Sequence, residues 1–298
     1  MNSSTYVFVV LHYKSSKDTI NCIRSIENLN GEYQIIIVDN ASNDGSLEKV
    51  KDVYSDTKNI IFLKNKENVG FAEGNNVGYR FAKNILKAQF ILICNSDLIF
   101  DQQDFLTKVK KVYTKYEAYI IGPDIESIST KMHQSPMKTT TTNLFKVNFE
   151  ILRYRLLLVL SRLYIYDLLK RSTGINKTPQ KQYYKNVKKN VVLHGSMLVF
   201  TPNFIKREDK AFRTGTFLYL EEDILHTYAI SNGYVTIYDP SLHVLHLEDS
   251  STNAIVKNKK EKREFVFRNM IKSLGVYRKY LIFDKDRTKK AKYNRHYT

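Results

Sequence analysis

The chain opens on an alternation of short apolar runs and longer mixed ones. Tyr6 to Leu11, Gln34 to Val38, Ile60 to Leu63 and Phe90 to Cys94 are built almost wholly of Val, Ile, Leu and aromatic residues, with no regular polar alternation. Strands covered on both faces read this way, because neither face meets water. Between and after them lie stretches of helical length, Asp18 to Leu29, Ser46 to Tyr54 and Phe71 to Lys87. Strand alternating with helix over the first ~125 residues predicts an α/β domain, a mostly parallel sheet with helices on both faces. Ligands of such sheets bind in the crevice beyond the carboxyl ends of the strands.

Those ends are polar. Tyr6 to Leu11 empties into His12-Tyr13, Gln34 to Val38 into Asp39-Asn40-Ala41-Ser42-Asn43-Asp44-Gly45, and Phe90 to Cys94 into Asn95-Ser96-Asp97. A carboxylate at Asp39 can accept hydrogen bonds from a ribose or a base, and one at Asp97 reaches the rim of the sheet. The same residues also suit turns and caps, since short polar side chains bond their own backbone. Asn68 to Gly78 crowds three glycines and three asparagines into the start of a predicted helix. Glycine inside a helix costs about 1 kcal/mol relative to alanine, so this density points to close approach of backbone to a ligand, or of helix to sheet. A dinucleotide fingerprint is excluded, because no Gly-x-Gly-x-x-Gly follows the first strand.

A second acidic station follows an aromatic approach in Phe217-Leu218-Tyr219-Leu220-Glu221-Glu222-Asp223. Mutual repulsion and an apolar setting raise the proton affinity of the most buried acid, which is how a general base is prepared. Acids also favour a helix N-terminus, and Glu221 to Asn232 reads as a helix closed by Gly233. Tyr234 to Tyr238 reads as a strand, Asp239-Pro240 as a turn and His243 to His246 as another strand. A period of two sends His243 and His246 to opposite faces, so at most one serves a site. His246 with Asp97 suits a hard divalent ion, which keeps waters and binds through one or two carboxylates plus substrate phosphates.

In this order the pieces Val38-Asp39-Asn40-Ala41-Ser42-Asn43-Asp44-Gly45, Asn68-Val69-Gly70-Phe71-Ala72-Glu73-Gly74-Asn75-Asn76, Asn95-Ser96-Asp97, His194-Gly195-Ser196, Phe217 to Leu225 and His246 resemble the inverting glycosyltransferases of family 2. The resemblance runs from Tyr6 to about Thr252 and is closest to bacterial rhamnosyltransferase-like enzymes of cell-surface polysaccharide, such as capsule or cell wall. It implies a GT-A fold, a Rossmann-like mixed sheet, here with basic helical additions. It implies a UDP- or dTDP-linked sugar donor bound by His12, Tyr13, Asp39, Asn40, Asn68, Gly70, Asn75, Asn95 and Ser96. Mg2+ or Mn2+ is then held by Asp97 and His246, and Glu222, counted back from Gly233, is the base, with Glu221 and Asp223 as fallbacks. Asn95 departs from the family pattern by replacing the first acid of the Asp-x-Asp motif. The implied chemistry is a single displacement with inversion onto a hydroxyl of a polyprenyl-diphosphate-linked glycan. The Gln-x-x-Arg-Trp motif of processive synthases is missing and the chain has no Trp, so one sugar per encounter is expected. A nucleotidyltransferase making the activated sugar is the alternative of the same fold class. Against it, no Gly-rich loop bearing Arg or Lys follows Tyr6 to Leu11.

Charge adds a second layer. The net charge of +17 over 298 residues is concentrated in two segments. Leu144 to Lys189 holds eleven Lys and Arg against two acids, and Val256 to Thr298 fifteen against four, which leaves the remainder slightly acidic. The expected organisation is a glycosyltransferase domain over 1–252, interrupted by a basic amphipathic insertion at about 144–189, and a basic helical segment over 253–298. Within Ile151 to Leu169, Arg153, Arg155, Arg162 and Asp167 argue against a spanning helix, which needs about 20 predominantly apolar residues. A helix lying in an anionic membrane surface suits the run, and a helix packed on the protein or in a homodimer interface is the alternative. Phe265, Phe267, Tyr277 and Tyr280 among the C-terminal cations read the same way. Basic, tyrosine-rich surfaces also suit nucleic acid, but no such motif is present and the strand-end acids repel phosphate unless a cation intervenes. Cys22 and Cys94 form no disulfide framework, and no signal peptide precedes the first strand. A cytoplasmic enzyme, peripheral on the inner face of the cell membrane, is the expectation.

Overall fold

The computed structural model describes residues 6–138, 140–166, 183–248 and 258–294. Strands β1 (Tyr6–His12), β2 (Tyr33–Asp39), β3 (Ile60–Lys64) and β4 (Phe90–Asn95) are the four predicted runs, each one or two residues longer than its apolar stretch. They lie parallel in the order β3-β2-β1-β4. Beyond β4 the sheet is mixed. Strand β5 (Leu98–Ile99) follows Asp97 directly, β6 (Ile120–Ser127) and β7 (Lys188–Lys189) come next in the chain, then β8 (Met197–Phe200) and β9 (Thr236–His246). β8 lies antiparallel between β4 and β6, β9 pairs parallel with β6, and β5 and β7 each pair antiparallel with part of β9.

Helices cover both faces, as the uninterrupted apolar runs require. On one side α1 (Ser16–Glu27), α2 (Ser46–Tyr54) and α4 (Phe105–Tyr116) bury Ile23, Ile26, Val50, Leu106 and Val109 against Phe8, Val10, Ile35, Ile37 and Leu92. On the other, α3 (Gly70–Asn84), the short α6 (Pro202–Ile205) and α7 (Glu221–Ser231) bury Tyr79, Phe204, Leu225 and Ala229 against Val7, Val9, Ile36, Val38 and Ile91. Alternate residues of β1 and β2 therefore serve opposite cores. The glycines of α3 explain themselves here: a Cβ at Gly78 collides with Val9 and Val38, so the helix rides directly on the sheet.

Two expectations change. Asp239-Pro240 does not end a strand, because β9 runs through it. The turn chemistry survives as an irregularity. Ser241 N–H donates to the Asp239 carboxylate at 2.9 Å, and the partner of β6 jumps from Asp239 to His243 between Pro123 and Asp124. Pro240 has no N–H to give to a ladder, so the bulge sits where nothing is lost.

The second change concerns the basic segments. α5 (Leu144–Arg162) and α8 (Lys259–Asn294) lie antiparallel, as Arg278 donating to Asn148 and Arg263 donating to Ser161, both at 3.1 Å, require. Together they cover the outer side of α7 through Val147, Leu220, Ile224, Leu274, Tyr277 and Leu281. The four aromatic residues of α8 named above pack on this layer: Phe267 and Tyr277 are buried, Phe265 meets Phe217, and Tyr280 donates to the Thr214 carbonyl at 3.3 Å, whereas Phe283 of the same helix is exposed. The predicted interfacial run is helical as far as Arg162, and its end at 167–169 lies outside the described residues. Among the described residues no helix is long and apolar enough to cross a membrane.

Candidate active site

A cleft of about 520 Å3 opens at the carboxyl edge of β1, β2, β4 and β9. Of the residues expected there, Tyr13, Asn40, Asn68, Gly70, Asn95, Ser96, Asp97 and His246 line it. Its Asn-rich wall is self-supporting. Asn40 Nδ2 donates to Asn68 Oδ1 at 2.9 Å, Asn40 Oδ1 accepts from Val69 N–H and Asn65 Nδ2, and Asn68 Oδ1 accepts from Gly70 N–H at 3.0 Å. Gly70 has φ +82° and stands against the Phe217 backbone, where a Cβ collides. That approach brings Phe217 and Leu218 into the cleft wall, with Leu11, Phe71 and Glu248. Sequence reading missed these five as site residues. Glu248 carried a faint signal, an acid two positions past His246 at a strand end.

Three expected donor-binding residues stand behind the wall instead of on it. His12 is fully buried, its Nδ1 2.7 Å from Thr19 Oγ1 and its Nε2 3.0 Å from Ser46 Oγ. The Thr19 hydroxyl already donates to the Ser15 carbonyl at 2.8 Å, so it accepts from His12 Nδ1–H. Burial pushes the His12 imidazole below its ordinary pKa, against the charges of Asp39, Asp44 and Glu48. A polar residue at a strand end has here turned inward to tie β1 to α1 and α2. Asn75 is also buried, its amide donating to the Phe71 carbonyl at 3.0 Å. Asp39 lies between the two cases: Oδ1 accepts from Ser42 N–H and Oγ, while Oδ2 is buried with no hydrogen-bond partner. Such an oxygen is costly unless something satisfies it.

Asp97 and His246 come together across the sheet. Leu98 pairs with His246, and Leu247 N–H donates to the Asp97 carbonyl at 2.9 Å. The side chains meet with His246 Nε2 3.2 Å from Asp97 Oδ1, and both residues are less than a tenth exposed. Two ligands on one octahedral cation at 2.0–2.1 Å stand about 3 Å apart, so a carboxylate and an imidazole at this separation fit Mg2+ or Mn2+. No group of three or more His, Cys, Asp or Glu gathers among the described residues, so a cation held by this pair would take most of its coordination from waters and a ligand phosphate. His243 is elsewhere, 3.0 Å from Asp101, as the alternation along β9 predicts.

The acids at the start of α7 separate by environment. Glu221 is 3% exposed, its carboxyl pushed up to about 8 by burial and then by the charge of Glu222. Asp223 is equally buried and accepts from Thr140 N–H at 2.8 Å; burial raises its pKa too. Glu222 turns instead toward the start of β8, where Oε1 accepts from Gly195 N–H at 3.2 Å. Gly195 has to be glycine for this approach, because a Cβ there collides with the Glu222 carboxylate. The adjacent His194 ring lies 6.0 Å from the His246 ring, so the segment that Glu222 touches borders the Asp97–His246 pair.

Comparison with known proteins agrees with this architecture. The model of the family described as glycosyl transferase family 2 matches residues 7–173, more than half of the chain. The low-salt glycan biosynthesis hexosyltransferase Agl10 of Haloferax volcanii is 26% identical over 120 residues, which is 39% of this chain and 35% of that protein. S. aureus TarS 1-349 in complex with UDP-GlcNAc superposes with a TM-score of 0.52 at 13% identity, over 85% of this chain and 61% of that one. For the mannosyltransferase PcManGT of Pyrobaculum calidifontis, in complex with GDP-Man and Mn2+, the TM-score is 0.52 at 13% identity, over 95% and 74%. The chain thus spans about a third of the length of its curated relative and three fifths of TarS. The family model, matched through most of β1 to α5 and over more than half of the chain, places the chain in glycosyl transferase family 2, and the mixed sheet it shares with these structures is the GT-A fold.

Proposed function

We propose that the protein transfers one sugar at a time from a nucleotide-sugar donor to a hydroxyl of a lipid-linked glycan, with inversion at the anomeric carbon. The observation that carries the reading is the carboxylate–imidazole pair in the cleft wall. Glu222 lies outside that lining, and its link to the pair runs through the Gly195 N–H it accepts from and the neighbouring His194 ring, 6.0 Å from the His246 ring. The Asn40–Asn68 wall is the polar surface that meets the nucleoside, with the unpartnered Asp39 Oδ2 buried behind it. Asp97 and His246 are the residues to hold a divalent cation, which supplies positive charge for the departing diphosphate. The neutral Asn95 leaves Asp97 to carry the negative charge of that motif. Glu222 takes the proton of the acceptor hydroxyl while its oxygen bonds to the anomeric carbon and the bond to the diphosphate oxygen breaks. That TarS was solved with UDP-GlcNAc and PcManGT with GDP-Man and Mn2+ supports this class of donor. The test is a panel of UDP-, dTDP- and GDP-linked sugars with a polyprenyl-diphosphate glycan acceptor, the product linkage read by NMR. Opposite anomeric configuration in donor and product is expected. Retention, or pyrophosphate release from a sugar 1-phosphate and a nucleoside triphosphate, overturns the reading.

We infer that the protein works at the inner face of the cell membrane, a reading that α5 supports. Phe145, Phe149, Leu152, Leu156 and Val159, with Leu163 just past the helix end, recur every three or four residues and are 49–81% exposed. At ~100° per residue they form one stripe, with Lys146 and Arg153 along one edge and Arg155 and Arg162 along the other. A second copy on the same stripe sets these cations against their equivalents, whereas an anionic bilayer satisfies them. The double substitution Leu152→Glu/Leu156→Glu removes two apolar contacts of about 1.5–3 kcal/mol each, so binding to phosphatidylglycerol vesicles should fall by more than ~10-fold. Soluble-donor hydrolysis should be unchanged. Unaltered vesicle sedimentation, or dimer loss in light scattering, refutes the membrane assignment.

A further inference from the structure

His246 is set in the sheet on both sides, opposite Ser127 of β6 and Leu98 of β5. What turns its ring is a chain of side chains from elsewhere. His246 Nδ1 lies 2.7 Å from Gln134 Oε1, and Gln134 Nε2 donates to the Glu248 carboxylate. The other Glu248 oxygen accepts from the Ser127 and Ser129 hydroxyls at 2.6 and 2.9 Å. Ser127 Oγ accepts in turn from Thr130 Oγ1 at 2.8 Å, which leaves its own proton for Glu248. A carboxylate surrounded by donors fixes the Gln134 amide, NH2 toward Glu248 and carbonyl toward the imidazole. That carbonyl cannot donate, so His246 Nδ1 carries a hydrogen, and in the neutral ring Nε2, 3.2 Å from Asp97 Oδ1, presents its lone pair.

We propose that Gln134, locked by Glu248, is a positioning residue that holds His246 in its Nδ1–H tautomer and so aims Nε2, beside Asp97, at the divalent cation of the donor diphosphate. This rests on the metal-dependent reading above. Two lone-pair donors converging at this distance repel each other in the absence of a cation or a proton, and the Gln134–Glu248 pair keeps that arrangement in place before the donor arrives. Groups that hold a metal-ligating histidine typically contribute 10–100-fold to metal affinity.

The experiment has two readouts, neither of which needs turnover. In the metal-free protein, long-range 15N–1H NMR of the ring should report His246 protonated at Nδ1, and Gln134→Leu should turn it into a mixture of tautomers. Titration of Mn2+ alone, followed by the electron paramagnetic resonance of the free ion, should show a ~10–100-fold weaker site in Gln134→Leu. The exchange Gln134→Glu/Glu248→Gln keeps the same donor–acceptor polarity, since the introduced carboxylate accepts both from Nδ1–H and from the introduced amide. It should restore affinity to within about threefold of the native chain. If Gln134→Leu does not fold, Glu248→Ala takes its place in both measurements. An Nε2–H tautomer in the native chain, or unchanged Mn2+ affinity in the unpaired variants, overturns the positioning role alone. Native Mn2+ binding indifferent to Asp97→Ala overturns the metal reading together with it.

Discussion

Glu222→Gln is expected to lower kcat for sugar transfer by about 10²–10⁴-fold, the usual worth of a positioned general base, with donor KM changed by no more than about threefold. The substitution keeps a carbonyl oxygen for Gly195 N–H, so the hydrogen bond that orients the side chain survives while its basicity is lost. The neighbours serve as controls. Glu221, with its carboxyl pushed up to about 8 by burial and the Glu222 charge, is already a neutral acid at pH 7. Glu221→Gln is nearly isosteric with that acid and should leave kcat within about tenfold of native. It should also flatten the pH dependence of folding. The folded chain holds a proton on Glu221 that the unfolded chain releases near pH 4.3, so stability falls as pH rises from there to about 8, and Gln removes that slope. Steady-state kinetics with thermal unfolding of each variant checks the set. A collapse in Glu221→Gln with Glu222→Gln intact moves the base by one residue.

The contrast among these acids was not legible in the sequence, where three adjacent carboxylates look alike. What could be read was whatever depends on local burial. β1 to β4 declared themselves because both faces of the sheet are covered, and α2 runs from Ser46 to Tyr54 as its pattern predicts. The glycines of Asn68 to Gly78 also announced a close approach, which Gly70 makes with Phe217 and Gly78 with Val9. Direction was harder. His12 and Asp97 both follow apolar strands, yet His12 turns into the α1–α2 side and Asp97 into the cleft. Apolar periodicity says that a residue is covered but not by what, so Phe265, Phe267, Tyr277 and Tyr280 of α8 looked free to meet a membrane until α5, α7 and the 214–218 loop took them. Gln134 gave no signal, because its meaning comes from His246 and Glu248, each more than 110 residues away.

Asp97→Ala is expected to weaken donor binding by ~100-fold or more, and to make what binding remains indifferent to chelation. The reasoning is electrostatic. Asp97 is 6% exposed and meets His246 at 3.2 Å in a cleft whose neighbouring motif position is the neutral Asn95. On the proposed metal-dependent reading, a cation held there would join the diphosphate to the protein. Stripped of it, the Asp97 carboxylate faces the diphosphate directly, and two like charges ~4 Å apart at an effective dielectric of ~20 repel by about 4 kcal/mol. Removing the metal from the native chain therefore harms binding twice, by losing an attraction and by exposing a repulsion, whereas the Ala variant suffers only the first. The expected order of donor affinity is native with Mn2+, then Asp97→Ala with or without EDTA, then native with EDTA. Calorimetric titration of the donor identified by the panel measures all four states. The inversion between the last two separates a metal bridge from a carboxylate that bonds the sugar itself, since in the second case the native chain binds better than the variant whether or not EDTA is present.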